Sequence, residues 1–174
     1  KVEPFNGTYE EAKTKLKSLL KDAVKIRLFS DVPLGSFLSG GIDSALVTAY
    51  ASELNKEPLN TFTIGFEDKE YDESAVAEQY ADILKTNHKT LICNPNDILT
   101  NFPTLLKVYD EPFADNSALP SLLLNSMTKQ HVTVALSGDG GDESFLGYHH
   151  FESLLKNEKI MSLPYFVRKS AVLA

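Results

Sequence analysis

The stretch that decides the fold is Leu34-Gly35-Ser36-Phe37-Leu38-Ser39-Gly40-Gly41-Ile42-Asp43-Ser44. It begins as a short apolar run, continues through two adjacent glycines, and leads into a pattern with helical spacing. A strand that ends in Ser-Gly-Gly and enters a helix gathers several backbone N–H groups at one helix N-terminus. These unpaired donors and the positive end of the helix dipole favour an anion such as phosphate. The stretch therefore predicts a phosphate-binding loop, here called the glycine loop (residues 39–44).

The side chains of the glycine loop fit the same interpretation. Gly40 and Gly41 allow a tight turn and leave no Cβ between the backbone and a bound phosphate. Ser39 and Ser44 add hydroxyl donors, and Asp43 is placed to hold a divalent cation against the phosphates. The plain alternative is a glycine-rich turn with a serine cap. A lone pair of glycines would favour that alternative, whereas six fitting positions after a strand favour the phosphate loop.

Other phosphate-binding loops have different sequences. A Walker loop requires Gly-Lys-Ser or Gly-Lys-Thr after its second glycine, whereas Ile42-Asp43-Ser44 follows here. The dinucleotide fingerprint Gly-x-Gly-x-x-Gly is also absent from this stretch. The pattern Ser-Gly-Gly-x-Asp-Ser instead resembles the PP-loop of the ATP pyrophosphatase group. That resemblance implies binding of pyrophosphate rather than of a transferable γ-phosphate.

The composition is that of an ordinary globular chain. Its 174 residues, 43% hydrophobic and 24% charged, are enough for one domain over residues 1–174. With 17 basic and 24 acidic residues the net charge is −7, which argues against a nucleic-acid or anionic-membrane surface. The lone Cys93 predicts a reducing, cytoplasmic location, and no apolar run approaches membrane-spanning length. Because Lys1 replaces an initiator Met, we expect a chain trimmed from something larger.

Helical and strand patterns alternate along the chain. Helices are predicted from Thr8 to about Leu28, at about 43–54, at 73–84 with Asp72 as cap, from Asn94 onward, and at 119–129. Strands are predicted near 32–38, 61–66, 88–93 and 132–136, the last too apolar to face water on either side. The helix from Asn94 is expected to bury Leu99, Phe102, Leu105, Leu106 and Tyr109. This alternation implies right-handed crossovers and a mainly parallel sheet with helices on both faces.

A second glycine-rich segment, Ser137-Gly138-Asp139-Gly140-Gly141-Asp142-Glu143, follows the last predicted strand. Ligands of such sheets bind beyond the carboxyl ends of the strands where the strand order reverses, so the two segments predict two walls of one pocket. Asp43 and Asp142 are both placed to reach one Mg²⁺. The segment lacks the residue spacing of an EF-hand calcium loop. The alternative that it is an acidic helix start, with Asp142 as N-cap, stays open. A helix that includes Phe145, Leu146, Phe151, Leu154 and Leu155 is predicted to follow.

Three motifs, in this order, resemble those of the glutamine-hydrolysing asparagine synthetases. They are residues 30–44, the segment Asp110-Glu111-Pro112-Phe113-Ala114-Asp115, and the second glycine-rich segment. The match covers almost the whole chain, from the first helix to about Phe151. The resemblance implies an adenine nucleotide α-hydrolase-like (PP-loop) three-layer α/β sandwich.

The resemblance also implies an ATP-dependent amide ligase. In the family, ATP activates the side-chain carboxylate of aspartate as an acyl adenylate with release of pyrophosphate, and ammonia then displaces AMP to give asparagine. The positions that it implies for binding ATP and pyrophosphate are Leu38, Ser39, Gly40, Gly41, Asp43, Ser44, Ile64, Ser137 and Gly138. It further implies Asp43 and Asp142 as Mg²⁺ ligands and Asp139 as a catalytic residue tied to the acyl adenylate.

The chain also departs from the family. There, ammonia comes from an N-terminal glutaminase domain with an amino-terminal cysteine nucleophile, whereas this chain begins with Lys1 and carries Cys93 at the end of a predicted strand. We expect Cys93 to be a small core residue. No lysine matches the one that the family uses well downstream. We therefore expect a fragment, without the glutaminase domain and the downstream helical part, that is inactive alone.

The implied partners are ATP, aspartate, ammonia from glutamine, and the glutaminase domain of the full-length chain; a homo-oligomer is compatible with them. Two other functions stay open. One is an asparagine synthetase-like amidotransferase or cyclase that acts on another carboxylate. The other is a non-catalytic nucleotide-binding module. The acidic set Asp43, Asp139 and Asp142 argues against the second, because binding alone does not need all three.

Overall fold

The computed structural model describes residues 3–111, 114–148, 150–154, 157, 162 and 164. The chain forms two compact units, Lys1–Gly138 and Asp139–Ala174, and each is described here by itself. The assignment of residues 1–174 to one domain stays a prediction. Within the described ranges, no helix combines the length and the apolar character that crossing a membrane would require.

The first unit contains every predicted helix and strand up to residue 136, in the predicted order. Its elements are α1 (Tyr9–Arg27), β1 (Leu34–Phe37), α2 (Ile42–Leu54), β2 (Asn60–Phe66), α3 (Ser74–Leu84), β3 (Asn87–Cys93), α4 (Pro95–Tyr109), α5 (Ala118–Thr128) and β4 (Val134–Leu136). The four strands form one sheet in the order β3-β2-β1-β4, and each neighbouring pair is parallel. The predicted parallel α/β sheet is therefore confirmed.

The strand order places helices on both faces of the sheet. The chain moves in one direction from β1 to β2 to β3, then returns past β1 to reach β4. Because parallel crossovers are right-handed, α2 and α3 cover one face and the α4–α5 pair covers the other. In agreement, α2 contacts α3, α4 contacts α5, and α1 packs against α2. The three-layer sandwich is confirmed.

Side-chain caps explain where two of the helices begin. At α1, the Thr8 hydroxyl accepts a hydrogen bond from the Glu11 N–H at 3.3 Å, and the Glu11 carboxylate accepts one from the Thr8 N–H at 2.7 Å. Asn94 and Asp97 form the same reciprocal capping box at the start of α4. Such boxes satisfy helix N–H groups that have no partner within the helix.

Two small apolar clusters hold the α2–α3 layer to the sheet. The first joins α1, α2 and the residue before β2: Val24, Ala51 and Leu59. The second joins the residue after β1 to α3: Leu38, Ala77 and Ala81. Between β1 and α2, the buried hydroxyls of Ser36 and Thr48 lie 2.9 Å apart and hydrogen-bond to each other. These contacts fix the end of β1, and therefore the start of the glycine loop, against the helices.

The predicted buried side of α4 is wrong. The exposed fractions are 77% for Leu99, 51% for Phe102 and 53% for Leu106. The helix itself is continuous through Pro103, but its contacts are chiefly with α5 rather than with the sheet. Amphipathic spacing indicates that a helix has an apolar face, not that the chain at hand covers it.

The prediction for the last strand is also partly wrong. Residues 132–136 were expected to be shielded on both sides, but β4 contains only Val134–Leu136 and Val134 is 40% exposed. The physical reason is position: β4 pairs with β1 alone among the described strands and so lies at an edge of the sheet. Val132, by contrast, is only 4% exposed.

The second unit contains α6 (Gly141–Phe145), which is much shorter than the predicted helix. The helix ends because Leu146 adopts a left-handed conformation with φ of 60°; residues 150–154 are helical again, and Leu155 lies outside the described residues. The N-cap is Gly140, with φ of 88°, so the alternative that made Asp142 the N-cap is wrong. Asp142 lies in the first turn instead.

Candidate functional site

The two glycine-rich segments begin at the carboxyl ends of neighbouring strands. In the β1–β4 pair, Ser36 lies opposite Leu136, so the chain leaves both strands at the same level. Because β2 and β4 lie on opposite sides of β1, this is the point where the strand order reverses. Open α/β sheets bind their ligands at such points. The predicted adjacency of the two segments is confirmed as far as Gly138, the last residue of the first unit.

Three consecutive backbone N–H groups of the glycine loop donate to side-chain oxygens. The Ser39 N–H donates to Ser44 Oγ at 3.0 Å, and the Gly41 N–H donates to Ser39 Oγ at 3.1 Å. Between them, the Gly40 N–H donates to Oε2 of Glu73 at 3.1 Å. At the first turn of α2, the N-cap is Gly41, which brings no side-chain cap. The loop therefore presents backbone donors toward oxygen atoms, as an anion site requires.

Ser44 shapes the loop from inside. Its side chain is buried, with 8% of the residue exposed, and its hydroxyl lies 2.8 Å from Ser39 Oγ. The same hydroxyl donates to the Gly41 carbonyl at 3.1 Å. In this arrangement Ser44 holds the turn closed with partners in the loop itself. The predicted contact of Ser39 and Ser44 with phosphate stays a prediction.

Gly138 packs directly on the first turn of α2. A Cβ built at this position would lie 2.6 Å from the Ser44 nitrogen and 3.0 Å from the Asp43 carbonyl carbon. Ordinary non-bonded contacts between heavy atoms are near 3.5–4.0 Å, so no side chain fits here. The absence of a Cβ lets the chain after β4 touch the helix N-terminus. Gly138, the half-buried Ser137 before it, and Asp43 are thus brought to one place.

Leu38 and Ile64, both predicted at the nucleotide site, have different surroundings. Leu38 is 2% exposed, and its side chain packs against Ala77 and Ala81 in the core. Its N–H donates to the Phe62 carbonyl at 2.9 Å, and its carbonyl accepts a hydrogen bond from the Thr63 hydroxyl. The structure therefore buries the side chain of Leu38 and secures its backbone.

Ile64 lines an apolar cleft of about 560 Å³ at the carboxyl end of β2. The other lining residues are Phe66, Asp68, Tyr71, Asn116, Ser117, Pro120, Ser121 and Leu124. Asp72 fixes the loop beside this cleft, because its Oδ1 accepts hydrogen bonds from the N–H groups of Phe66 at 3.2 Å and Ser74 at 3.1 Å. The hydroxyl of Ser74 and then its N–H lower the pKa of Asp72. Burial opposes them with a smaller effect, and the N–H of Phe66 adds a still smaller lowering.

The predicted metal ligands belong to different units. Asp43 is half-buried in the first turn of α2, beside the glycine loop, whereas Asp142 is half-buried in α6 of the second unit. Among the described residues, no group of three or more His, Cys, Asp or Glu side chains is close enough to hold a metal ion alone. A shared Mg²⁺ stays a prediction, as does the catalytic role of Asp139, which is exposed.

In the second unit, Tyr148 and Glu143 form a hydrogen bond close to the predicted acidic residues. The Tyr148 hydroxyl donates to Oε1 of Glu143 at 2.7 Å. This bond lowers the pKa of Glu143 and raises the pKa of Tyr148. It closes the turn after α6, in which the Gly147 N–H also donates to the Asp142 carbonyl at 3.0 Å.

The remaining candidates have structural positions. Cys93 ends β3 with 6% exposure, and burial is the main cause that raises the pKa of its thiol, so the prediction of a core residue is confirmed. Asp115 accepts hydrogen bonds from the N–H of Ser117 at 2.8 Å and from its hydroxyl at 2.7 Å. It therefore orders the turn before α5. Pro112 and Phe113 lie outside the described residues.

Sequence reasoning missed Glu73 and Thr63 as residues that shape the glycine loop. The sequence pattern predicts Glu73 only as the first residue of a helix and Thr63 only as one residue of a strand. Both contact the chain just after β1 from more than 20 positions away, with separations of 33 and 25 residues. Local patterns carry no signal for such pairs. Only the register of β2 beside β1 would have pointed to Thr63.

The chain is similar to proteins of one known family. The family model described as "Asparagine synthase" matches residues 15–173. Asparagine synthetase [glutamine-hydrolyzing] 1 of Bacillus subtilis is 34% identical over 172 residues, covering 95% of this chain and 27% of the relative. A Methanocaldococcus jannaschii protein, provisionally named asparagine synthetase [glutamine-hydrolyzing] 2, is 44% identical over 153 residues, covering 87% of this chain and 30% of the relative. Amidase chyE of Penicillium rubens is 33% identical over 170 residues, covering 89% of this chain and 25% of the relative.

The chain thus spans between a quarter and a third of the length of these relatives. Among solved structures, the NH3-dependent NAD synthetase of Campylobacter jejuni has a TM-score of 0.53 at 19% identity, covering 78% of this chain and 60% of that one. NMN synthetase of Francisella tularensis has a TM-score of 0.52 at 20% identity, covering 82% of this chain and 59% of that one. These structures support the adenine nucleotide α-hydrolase-like fold, and the match to the family model shows that the chain belongs to the asparagine synthase family.

Proposed function

We propose that this chain is the nucleotide-binding part of an ATP-dependent amide ligase of the asparagine synthetase type. The observation that carries the proposal is the contact of Gly138 with the first turn of α2, beside the glycine loop. It joins the ends of β1 and β4 at the switch point of the sheet and leaves room for backbone alone. Membership of the asparagine synthase family supports the same reaction class.

In the proposed reaction, an oxygen of the aspartate side-chain carboxylate attacks the α-phosphorus of ATP. The bond from that phosphorus to the bridging oxygen breaks, and pyrophosphate leaves. Ammonia, derived from glutamine, then attacks the acyl carbon, AMP leaves with its oxygen, and asparagine is formed after loss of protons. Negative charge builds up on the departing pyrophosphate during the first step. Backbone N–H groups at the glycine loop and the first turn of α2 are proposed to stabilise that charge, and the Gly40 N–H would exchange its present acceptor, the Glu73 carboxylate, for a phosphate oxygen.

The residues present fit a Mg²⁺ that arrives with the nucleotide. Mg²⁺ is commonly held by one or two carboxylates together with substrate phosphates. Asp43 supplies one carboxylate beside the glycine loop, and we propose Asp142 as the second. When bound, Mg²⁺ would neutralise charge on the leaving pyrophosphate.

The nucleoside half of ATP is proposed to use the cleft lined by Ile64. Its walls are apolar and aromatic, with Phe66 and Tyr71 beside Ile64. Asp68 and Asn116 supply polar atoms at the same cleft, which is the composition that small-molecule sites typically have. Leu38 would contribute only through its backbone, because its side chain is buried. Asp139 is proposed to act on the acyl adenylate from the second unit.

A second candidate function is a ligase of the same mechanism that activates another carboxylate. It is favoured by one finding: the identity to Amidase chyE, 33%, is close to the 34% found for the Bacillus subtilis asparagine synthetase. Overall identity therefore does not separate the acceptor substrates. Since the chain spans only about a quarter to a third of these relatives, the 174 residues alone are proposed to bind nucleotide without turning over aspartate.

The test is calorimetric titration of inorganic pyrophosphate and of ATP with Mg²⁺ into the 174-residue chain and into Gly41→Val. A Cβ at Gly41 meets only Ser39 Oγ, at 3.3 Å, which is the tip of a side chain that can shift, and we expect the two further methyl groups of valine to obstruct the approach of a phosphate to the backbone. Losing one charge-assisted hydrogen bond costs about 1.5–3 kcal/mol, so we expect affinity to fall at least about tenfold.

The control is Ala23→Val, which places the same valine side chain at an exposed position of α1. It should leave both affinities unchanged. Circular dichroism establishes that each variant is folded. A folded Gly41→Val protein with unaltered affinity would show that the glycine loop is not the phosphate site.

A further inference from the structure

We propose that the Glu73 carboxylate is an internal anion that occupies the glycine loop in the ligand-free protein, and that the pyrophosphate group of the nucleotide replaces it. Glu73 is the N-cap residue of α3, and it reaches the loop from 33 positions away. The inference rests on the proposed function, because it states what a nucleotide must displace to bind at that same loop.

The charge of the acceptor distinguishes Glu73 from the other partners of the loop. The N–H groups of Ser39 and Gly41 donate to hydroxyl oxygens that belong to the loop itself. The Gly40 N–H donates instead to a carboxylate oxygen carried by a different helix. A negatively charged oxygen at backbone donors next to a helix N-terminus is the arrangement that phosphate adopts in proteins. Glu73 therefore supplies the chemistry of the ligand from within the chain.

Close packing makes the carboxylate and a phosphate mutually exclusive. A Cβ built at Gly40 would lie 3.1 Å from Cβ of Glu73 and 3.2 Å from its Oε2, so the side chain lies flat over the glycine. A phosphate oxygen that accepts from the same N–H needs this space. Like charges at such short range would also repel each other. Because Glu73 is exposed, its side chain can turn into water without disturbing the core.

Two consequences follow for the ligand-free and the bound state. Without nucleotide, Glu73 satisfies the Gly40 N–H and keeps the loop in its binding conformation. When pyrophosphate binds, the carboxylate must leave the Gly40 N–H. The free energy needed to break that contact lowers the net affinity for pyrophosphate. A protein without the carboxylate should therefore bind free pyrophosphate more tightly than the unaltered chain.

The experiment titrates inorganic pyrophosphate, without Mg²⁺, into the 174-residue chain and three variants. Glu73→Gln removes the charge and keeps the shape, so we expect binding about fivefold tighter, the effect of one like charge at about 4 Å in water. Glu73→Asp keeps the charge but shortens the side chain, which withdraws it from Gly40. Glu70→Gln removes the same charge three residues earlier and is the matched control.

Nuclear magnetic resonance supplies a reading that does not depend on ligand binding. The amide proton of Gly40 should move to higher field in Glu73→Gln and in Glu73→Asp, because its charged partner is lost, and should stay in place in Glu70→Gln. In the titration, the proposal expects Glu73→Asp to bind pyrophosphate as tightly as Glu73→Gln, because both variants lose the contact of the carboxylate with Gly40. Affinity equal to that of the unaltered chain would show that only the net charge matters and would contradict the proposal.

Pyrophosphate binding to Glu73→Gln that is no tighter than binding to Glu70→Gln overturns the proposal, as does an unmoved Gly40 amide resonance. Equal binding by all four proteins leaves the proposed function intact and removes only the role of Glu73. Failure of every protein to bind pyrophosphate removes the proposed function as well. The two failures are therefore distinguishable.

Discussion

Replacing Gly138 with alanine tests the contact on which the candidate site depends. The new Cβ would lie 2.6 Å from the Ser44 nitrogen and 3.0 Å from the Asp43 carbonyl carbon. Restoring ordinary contacts near 3.5 Å requires the chain after β4 and the first turn of α2 to separate by roughly 0.5–1 Å. Both partners are backbone, so no side chain can rotate away to relieve the clash.

The expected magnitude follows from that displacement. Forcing an extra carbon into a packed site typically costs about 1–3 kcal/mol, and each kcal/mol lowers the melting temperature by roughly 2–4 °C in a chain of this size. We therefore expect a fall of about 2–12 °C. Pyrophosphate affinity should fall too, because the N–H groups of the first turn of α2 move by a similar distance, and a 1 Å misplacement can reduce function by about 10²-fold.

Thermal unfolding followed by circular dichroism measures the first effect, and calorimetry with pyrophosphate measures the second. The matched control is Gly41→Ala, where the nearest atom to the new Cβ is Ser39 Oγ at 3.3 Å, at the tip of a side chain that can shift. Gly41→Ala should retain most of the stability. A Gly138→Ala protein with unchanged melting temperature and affinity would refute the packing argument.

Two further predictions concern metal and pH. Asp43→Asn and Asp142→Asn should each weaken Mg²⁺-dependent binding of ATP, and the double variant should show less than the sum, because the first loss already disables a shared site; calorimetric additivity would contradict one shared ion. Burial is the main cause that lowers the pKa of His88 below its usual 6.5, against smaller opposite effects of Glu78 and Asp82. As the pH falls, the unfolded chain therefore takes up this proton at a higher pH than the folded chain does. The stability contributed by neutral His88 is complete above pH 6.5 and is lost as the pH falls through the lower folded-state pKa. His88→Asn should reduce the dependence of the free energy of unfolding on pH, measured by urea unfolding at pH values from above 6.5 downward. An unchanged pH dependence would contradict this prediction.

Local signals predicted the elements of the first unit well. The capping pair Thr8–Glu11 and the segment from Asn94 to Asp97 mark helix starts within a few residues of sequence, and helices begin at both places. The glycine loop was predictable for the same reason, since a strand, two glycines and a helix are adjacent in the chain. The parallel pairing of the strands followed from the alternation of strands and helices, whereas the strand order came from the structure.

Contacts that depend on tertiary position were not predictable. The need for glycine at position 138 comes from the β1–β4 register, which joins residues about 100 positions apart. Leu38 is a predicted nucleotide-site residue, and the burial of its side chain against α3 is a contact that no local pattern indicates. The apolar spacing of α4 was recognised correctly, but the exposure of Phe102 depends on which parts of the protein surround it. In each case the sequence determines the character of the residue, whereas the tertiary structure determines which residues contact it.

The division of the candidate residues between the two units has a consequence for mechanism. The proposed phosphate-binding residues 39–44, which include Asp43, belong with Ile64 to the first unit, whereas Asp139 and Asp142 belong to the second. If the proposal holds, free pyrophosphate should need only the backbone donors, because an anion without a metal gains nothing from further carboxylates. Mg²⁺-ATP should need the acidic residues as well. Changes in the second unit should therefore alter the Mg²⁺ dependence of nucleotide binding while leaving free pyrophosphate affinity as it is, which separates anchoring of the phosphates from activation of the carboxylate.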